Sequence, residues 1–143
     1  TAKTIYYFEI IMSIIYIGRQ TYQEHHFDVL ECEMNSVYWD ALGVLLEEIL
    51  LLKYLELYEK IARDEFTLFE YYTFTELSFK KLNFLIKIVR SYITKLSIST
   101  WQEKDWITDI SLVKSRAQQV WLELLEPLII KDDRYDQLLF SPS

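Results

Sequence analysis

Glycine and proline are nearly absent from this chain, with two of each among its 143 residues. Folds rich in β-strands turn the chain often, and tight turns depend on Gly, Pro, Asn and Asp. A scarcity of these residues is typical of a few long helices with short connections. The sequence therefore predicts an all-α fold, an up-and-down bundle of four to five helices in a single domain of residues 1–143.

Hydrophobic periodicity places the helices along the chain. The predicted helices cover residues 3–17, 22–34, 36–63, 68–96 and 101–126, and a short docked tail follows them. Asn35 or Ser36 is the expected N-cap of the third helix. Gly43 falls inside that helix, where glycine costs about 1 kcal/mol relative to alanine. We therefore expect another helix to approach closely at Gly43.

Capping boxes, in which a threonine is followed three residues later by a glutamate, mark the starts of two later helices. Thr67 with Glu70 is expected to open the fourth helix, and Thr100 with Glu103 the fifth. Pro127 is expected to end the fifth helix just before it, because the residue that precedes a proline avoids the α-helical conformation.

The stretch GRQTYQEHHF, which begins at Gly18, holds both histidines of the chain and allows two interpretations. In an unbroken helix, Arg19 and His26 are two turns apart and share one apolar face. In a broken helix, Gly18 ends the first segment and Thr21 with Glu24 caps the second. The glycine and the capping box favour the break. Whether Arg19 lies in an exposed joint or on the face of His26 stays open.

The spacing of Arg19 and His26 is similar to the Arg-x4–6-His motif of HEPN-type helical ribonucleases. The resemblance covers this stretch only. It implies a metal-independent ribonuclease in which Arg19 and His26 act on the scissile phosphate, usually across a dimer. This ribonuclease is the third of three functional hypotheses. The other two, which follow, are not enzymes.

Acidic residues outnumber basic ones, 22 to 15, and the whole excess lies in the first half of the chain. Nucleic acid is disfavoured as a partner, because phosphate contacts need a positive field. A basic protein suits the acidic half better. The lead hypothesis is therefore a non-enzymatic protein–protein interaction module, acting as an acidic inhibitor or regulatory partner of a basic protein.

Aromatic residues are frequent, with 11 Tyr, 8 Phe and 4 Trp. Tyr and Trp favour places that are half apolar and half wet, such as interfaces and pockets. The predicted binding surface combines such rings with acidic side chains, at Glu24, Asp28, Glu31, Tyr38, Trp39, Glu47 and Glu56. The alternative function, a ligand-sensing helical bundle, uses the aromatic residues to line a pocket.

The first predicted helix is apolar almost all round, which favours either burial or contact with another chain. We expect a homodimer that forms through Tyr6, Tyr7, Ile10, Ile14 and Ile17.

A basic strip is predicted on the polar side of the fourth helix, at Lys80, Lys87, Arg90 and Lys95. We interpret it as a solvated face that pairs with acidic neighbours, and docking of an acidic ligand or RNA is the alternative.

Other chemistry has little support in the sequence. The chain has neither the Glu-x-x-His spacing of a di-iron bundle nor a Gly-rich phosphate loop, so no metal and no other cofactor is expected. Cys32 stands alone, which fits a reducing compartment and predicts a cytoplasmic protein. The apolar run over residues 5–17 carries Glu9 and is too short to cross a bilayer, so no membrane partner is expected.

Overall fold

The chain folds as a four-stranded mixed sheet packed against helices. The computed structural model describes residues 14–19, 29–65 and 69–140. The strands are β1 (Ile14–Arg19), β2 (Val29–Glu33), β3 (Ala62–Glu65) and β4 (Phe69–Thr73). The helices are α1 (Ser36–Leu50), α2 (Leu55–Ile61), α3 (Phe79–Thr94), α4 (Ile110–Gln119), α5 (Glu126–Ile129) and α6 (Gln137–Phe140). A 3₁₀ turn spans Leu96–Ile98, and a π-helical segment spans Val120–Leu125.

The predicted all-α, up-and-down helical bundle is wrong, because the fold is α+β. Strand β1 overlaps the end of the range expected for the first helix, β2 lies within that of the second, and β4 lies where the fourth was expected to begin. The predicted helix 36–63 is also wrong as one element, because it divides into α1, α2 and the start of β3. Strand β1 contains a run of isoleucines and a tyrosine, which suit a pleated, half-buried surface. A short apolar run of this kind cannot be assigned to helix or strand by periodicity alone.

The sheet has the strand order β2-β1-β4-β3. Strands β1 and β2 pair antiparallel, β3 and β4 pair antiparallel, and β1 joins β4 in parallel through the pairs Ile15 with Tyr72 and Tyr16 with Thr73. The pairing of β1 with β2 shifts register between Tyr16 and Gly18. The central strands therefore join segments that are far apart in the sequence.

The helix starts agree with the sequence at one place and differ at two. Asn35 caps α1 as predicted, and its side chain accepts a hydrogen bond from the Tyr38 N–H at 3.0 Å. Helix α3 is capped by Ser78 and α4 by Asp109, each through the backbone N–H three residues later. The capping boxes expected to open these two helices therefore do not mark their starts, and Glu70 lies in β4.

Pro127 lies in the first turn of α5 instead of ending a helix. The preceding π-helical segment makes this possible. There the Glu126 N–H bonds to the carbonyl oxygen of Trp121, five residues earlier. A proline normally clashes with the carbonyl four residues before it, and the wider π turn relieves this crowding.

Gly43 is approached by a strand tyrosine and not by another helix. A Cβ atom at Gly43 would lie 2.5 Å from the hydroxyl oxygen of Tyr72 on β4. The Tyr72 ring also stacks at a tilt on Trp39 of α1, with 4.5 Å between the ring centroids. Helix α1 therefore packs on the sheet through a small residue and an aromatic pair.

The core lies between the sheet and the helices. It joins apolar residues of β1, α1, α3, α4 and the π-helical segment. Trp121 is fully buried, and its ring centroid lies 6.4 Å from that of Phe74, which follows β4. Thr73, Asn83 and Asp132 are the polar residues buried among the described part of the chain.

Candidate functional site

A surface groove of about 730 Å³ lies between the end of α1, the turn that follows it and one face of α3. Its lining is mostly apolar with lysines at the rim, and comprises Glu48, Ile49, Leu52, Lys53, Tyr54, Phe84, Lys87, Ile88, Ser91, Tyr92, Lys95, Ile98 and Ser99. The residues from α3 recur every three or four positions, which aligns them along one side of the helix.

The groove exposes apolar side chains that a folded chain would normally cover. Leu52 is 90% exposed and Ile98 is 80% exposed. Phe84 is also partly exposed, and its ring meets that of Tyr54 edge to face, with 5.3 Å between centroids. Contiguous apolar exposure of this kind marks interaction sites more often than isolated surface residues do.

Three lysines surround this apolar lining. Lys53 lies in the turn after α1, and Lys87 and Lys95 lie on and just after α3. Lysine stems pack along apolar surface while their ammonium groups stay in water. The single acid of the lining, Glu48, accepts a hydrogen bond from the Gln102 N–H at 3.1 Å. The groove is therefore apolar and positively charged on a chain whose net charge is −7.

The predicted basic strip divides between two faces of α3. Lys87 and Lys95 line the groove, and Lys80 is exposed near the start of the helix. Arg90 lies on another side, where its Nε donates to Glu126 Oε1 at 2.7 Å and its Nη2 donates to Tyr135 Oη at 3.3 Å. Burial opposes the charge of Arg90, but its bonds with Glu126 and Tyr135 outweigh burial and raise its pKa.

The two predicted aromatic binding residues are half-buried at the start of α1. Tyr38 Oη donates to Gln119 Oε1 at 3.2 Å, and Trp39 packs on Tyr72. Both rings therefore help to hold α1 against α4 and the sheet. Glu47 lies nine residues after Tyr38, about 13 Å further along the helix axis.

The predicted acidic binding residues occupy separate elements. Glu31 is exposed on β2, and Glu47 forms an ion pair with Lys104 at 2.9 Å. Glu56 of α2 lies near Lys81. Hydrogen bonding with Lys60, and next the positive charge of Lys60, lower the pKa of Lys81. The remaining two, Glu24 and Asp28, lie outside the described residues.

Of the residues expected at a dimer interface, Ile14 and Ile17 are on β1. Ile17 is fully buried within the chain and Ile14 nearly so. Tyr6, Tyr7 and Ile10 lie outside the described residues.

The proposed joint at Gly18 is part of a strand. Gly18 and Arg19 belong to β1, and the backbone of Arg19 pairs with Val29 of β2. Thr21, Glu24 and His26 lie outside the described residues, so the geometry of Arg19 and His26 as a ribonuclease pair stays a prediction.

Sequence reasoning missed a buried charged cluster at Asp132 and Arg134. The Arg134 guanidinium donates to both carboxylate oxygens of Asp132 and to the carbonyl oxygens of Ile17, Phe74 and Leu77, all within 2.9 Å. All its N–H groups are used within the chain. The cluster therefore ties the C-terminal region to β1 and to the loop before α3. The sequence signal was an Asp-x-Arg spacing in a polar tail, which by itself is common.

A second groove, of about 690 Å³, lies beside α4 and is lined largely by polar side chains, among them Ser97, Ser111 and Ser115. The lysine in its lining, Lys114, donates to the Ser99 carbonyl oxygen at 2.5 Å and lies over the Trp101 ring. Because its one cation is engaged by the chain, we regard this groove as the weaker candidate.

Two features bear on membrane and metal partners. Within the described ranges, no helix is both long and apolar enough to cross a bilayer. Over the same residues, no three His, Cys, Asp or Glu side chains come together as a metal site.

Comparisons of the chain with protein-family models, with curated proteins and with solved structures find no match.

Proposed function

We propose that this protein is a non-enzymatic protein-interaction module that binds an acidic, amphipathic segment of its partner in the lysine-rimmed groove. The observation that carries the proposal is the combination of exposed apolar side chains, such as Leu52 and Ile98, with the three lysines around them. The apolar face of a ligand would cover the exposed apolar side chains, and its acidic side chains would meet the lysines.

The groove has the form used in helix-in-groove recognition. In that mode an amphipathic helix lays its apolar face into a hydrophobic groove. The α3 side of the groove runs from Phe84 to Lys95, which is about 16 Å along a helix axis. A partner helix of about three turns matches this length.

The predicted basic partner is the second candidate, and it would use a different surface. Glu31 and Glu33 are exposed on β2, which lies at one side of the sheet. Their charge and the net charge of −7 favour a basic protein at this side. The ligand-sensing alternative would use the groove itself, because Tyr54, Phe84 and Tyr92 contribute aromatic rings to its lining.

A random peptide library panned against the immobilised full chain tests the proposal. We expect enriched peptides that combine acidic residues with Leu, Ile or Phe at helical spacing. Their affinity, measured by fluorescence anisotropy, should fall about fivefold with Lys87→Glu and fall with added salt. Ile98→Ser should also weaken binding, because it removes an exposed apolar contact without disturbing the core.

Lys80→Glu is the matched control, since Lys80 is exposed on the same helix and does not line the groove. Peptides that bind equally well to Lys87→Glu and Lys80→Glu would refute the groove. Enrichment of basic peptides that lose affinity with Glu31→Lys would support the second candidate instead. If no peptide is enriched but a long-chain carboxylate binds the chain, ligand sensing would be favoured.

A further inference from the structure

The C-terminal segment of the chain has the chemistry that the groove is proposed to bind. Leu138 and Leu139 of α6 are 88% and 54% exposed. Asp133 is exposed a few residues before them, and Asp136 lies between. Asp136 Oδ1 accepts hydrogen bonds from the Leu138 N–H at 3.0 Å and the Leu139 N–H at 3.2 Å, which holds the apolar pair in a defined turn. The segment is therefore acidic and apolar.

We propose that the groove of one copy takes residues 133–139 of a second copy, so that the chain forms a two-fold dimer by reciprocal docking of its tails. This inference rests on the proposed function of the groove and names its partner. Asp133 and Asp136 would meet the lysines of the rim, and Leu138 and Leu139 would cover its exposed apolar lining.

The tail and the groove lie on neighbouring sides of α3, which makes the exchange compact. Asn83 anchors the tail, because its Nδ2 donates to the Arg134 carbonyl oxygen at 2.7 Å and its Oδ1 accepts from the Asp136 N–H at 3.0 Å. The next residue, Phe84, lines the groove. Successive helix residues point about 100° apart. A two-fold axis beside α3 would therefore set each tail over the groove of the other copy and close the pair.

The arrangement within one copy leaves the apolar tail residues uncovered. Arg134 and Asp136 fix the backbone that precedes α6, and Leu138 stays 88% exposed in that position. Burial of the leucines and of the apolar lining in a dimer would remove both exposed surfaces from water at once.

A charge exchange between the two surfaces tests the dimer. Sedimentation velocity over a concentration series is measured for the full chain, for Lys87→Glu, for Asp133→Lys and for an equimolar mixture of the two variants. Each variant alone has like charges at both contacts, and we expect about tenfold weaker dimerisation. The mixed pair has opposite charges at both contacts, so the mixture should recover the dimer. Lys80→Glu is the control and should dimerise like the original chain.

Three results would overturn the exchange. They are a chain that stays monomeric up to about 1 mM, variants that dimerise as well as the original, and weakened variants that the mixture does not rescue. Leu138→Ser, which changes an exposed side chain, supplies a second variant that should also weaken the dimer. If the original chain is monomeric but library peptides still bind the groove, the proposed function stands and the tail is not its ligand.

Discussion

Arg134 donates a hydrogen bond from Nη2 to the carbonyl oxygen of Ile17, 117 residues earlier in the chain, at 2.8 Å. The same guanidinium binds the carboxylate of Asp132, whose side chain is 1% exposed. One side chain therefore links the C-terminal region to the central strand β1. Every buried side-chain nitrogen and oxygen atom of the described residues likewise has a hydrogen-bond partner.

We expect Arg134→Ala to lower the free energy of unfolding by about 3–5 kcal/mol, because it leaves the Asp132 carboxylate buried without its charge partner. Urea unfolding followed by circular dichroism measures the loss. Arg63→Ala is the control, since the pair of Arg63 with Glu76 is 36% and 54% exposed and should contribute less than about 1 kcal/mol. Equal losses in the two variants would contradict a structural role of the Arg134 cluster.

Gly18→Ala should destabilise the chain by about 1–3 kcal/mol. The new Cβ atom would collide with Asp132 Oδ2 and Arg134 Nη2, which are held by the buried cluster and cannot easily move. Gly43→Ala provides the comparison. Its Cβ atom would meet the end of the Tyr72 side chain, and alanine gains about 1 kcal/mol of helix propensity that offsets part of the strain. Thermal unfolding should therefore rank Gly18→Ala well below Gly43→Ala.

Arg90 and Lys87 should respond in opposite ways to truncation, although both belong to the predicted basic strip. Arg90→Ala removes charge-assisted bonds to Glu126 and should cost about 1–2 kcal/mol of stability, with a change in the near-ultraviolet circular dichroism of Trp121, which also donates to Glu126. Lys87→Ala should leave stability within about 0.5 kcal/mol and weaken peptide binding. Destabilisation by Lys87→Ala would show that the groove rim is structural.

Cys32 should react slowly with a thiol reagent in the folded chain and rapidly in urea. Burial, and next the charge of Glu33, raise the pKa of its thiol, so less thiolate is present at a given pH. As the pH rises past about 8.5, the unfolded chain loses this proton first. The free energy of unfolding should therefore fall with rising alkaline pH, and part of that slope should vanish in Cys32→Ala. Identical slopes for the two proteins would contradict the shift.

The helix start that the sequence located correctly is that of α1, whose signal is local. Asn35 caps α1 as predicted, because a cap depends only on a side chain and the backbone three residues later. The capping boxes at Thr67 and Thr100 were wrong as helix starts, because the same local pattern also occurs where tertiary contacts select a strand or a loop. Glu70, the second residue of one such box, pairs with Asp64 in the sheet.

The groove likewise combines features that the sequence indicated with features that depend on tertiary packing. The sequence indicated lysines at positions 80, 87 and 95 and allowed an acidic ligand as one interpretation of them. It did not indicate that Lys87 and Lys95 flank exposed apolar residues. Nor did it indicate that Arg90 binds Glu126 on another side of the helix. Which side of α3 faces the groove depends on how that helix packs against α1, and a single sequence does not state this.

By itself, the sequence determined the composition of the core, the acid excess, the cap of α1 and the amphipathic character of α3, because these follow from residue type and spacing within a few turns. Only the tertiary structure decided that residues 14–19 form a strand, since Ile15 and Tyr16 pair with Tyr72 and Thr73, which are distant in the chain. It also decided that Gly18, which was expected to end a helix, lies in the sheet against the side chains of Asp132 and Arg134. Strand pairing and the hydrogen bonds of Arg134 to the carbonyl oxygens of Ile17 and Phe74 join distant residues, so their free energy is not expressed in any local pattern.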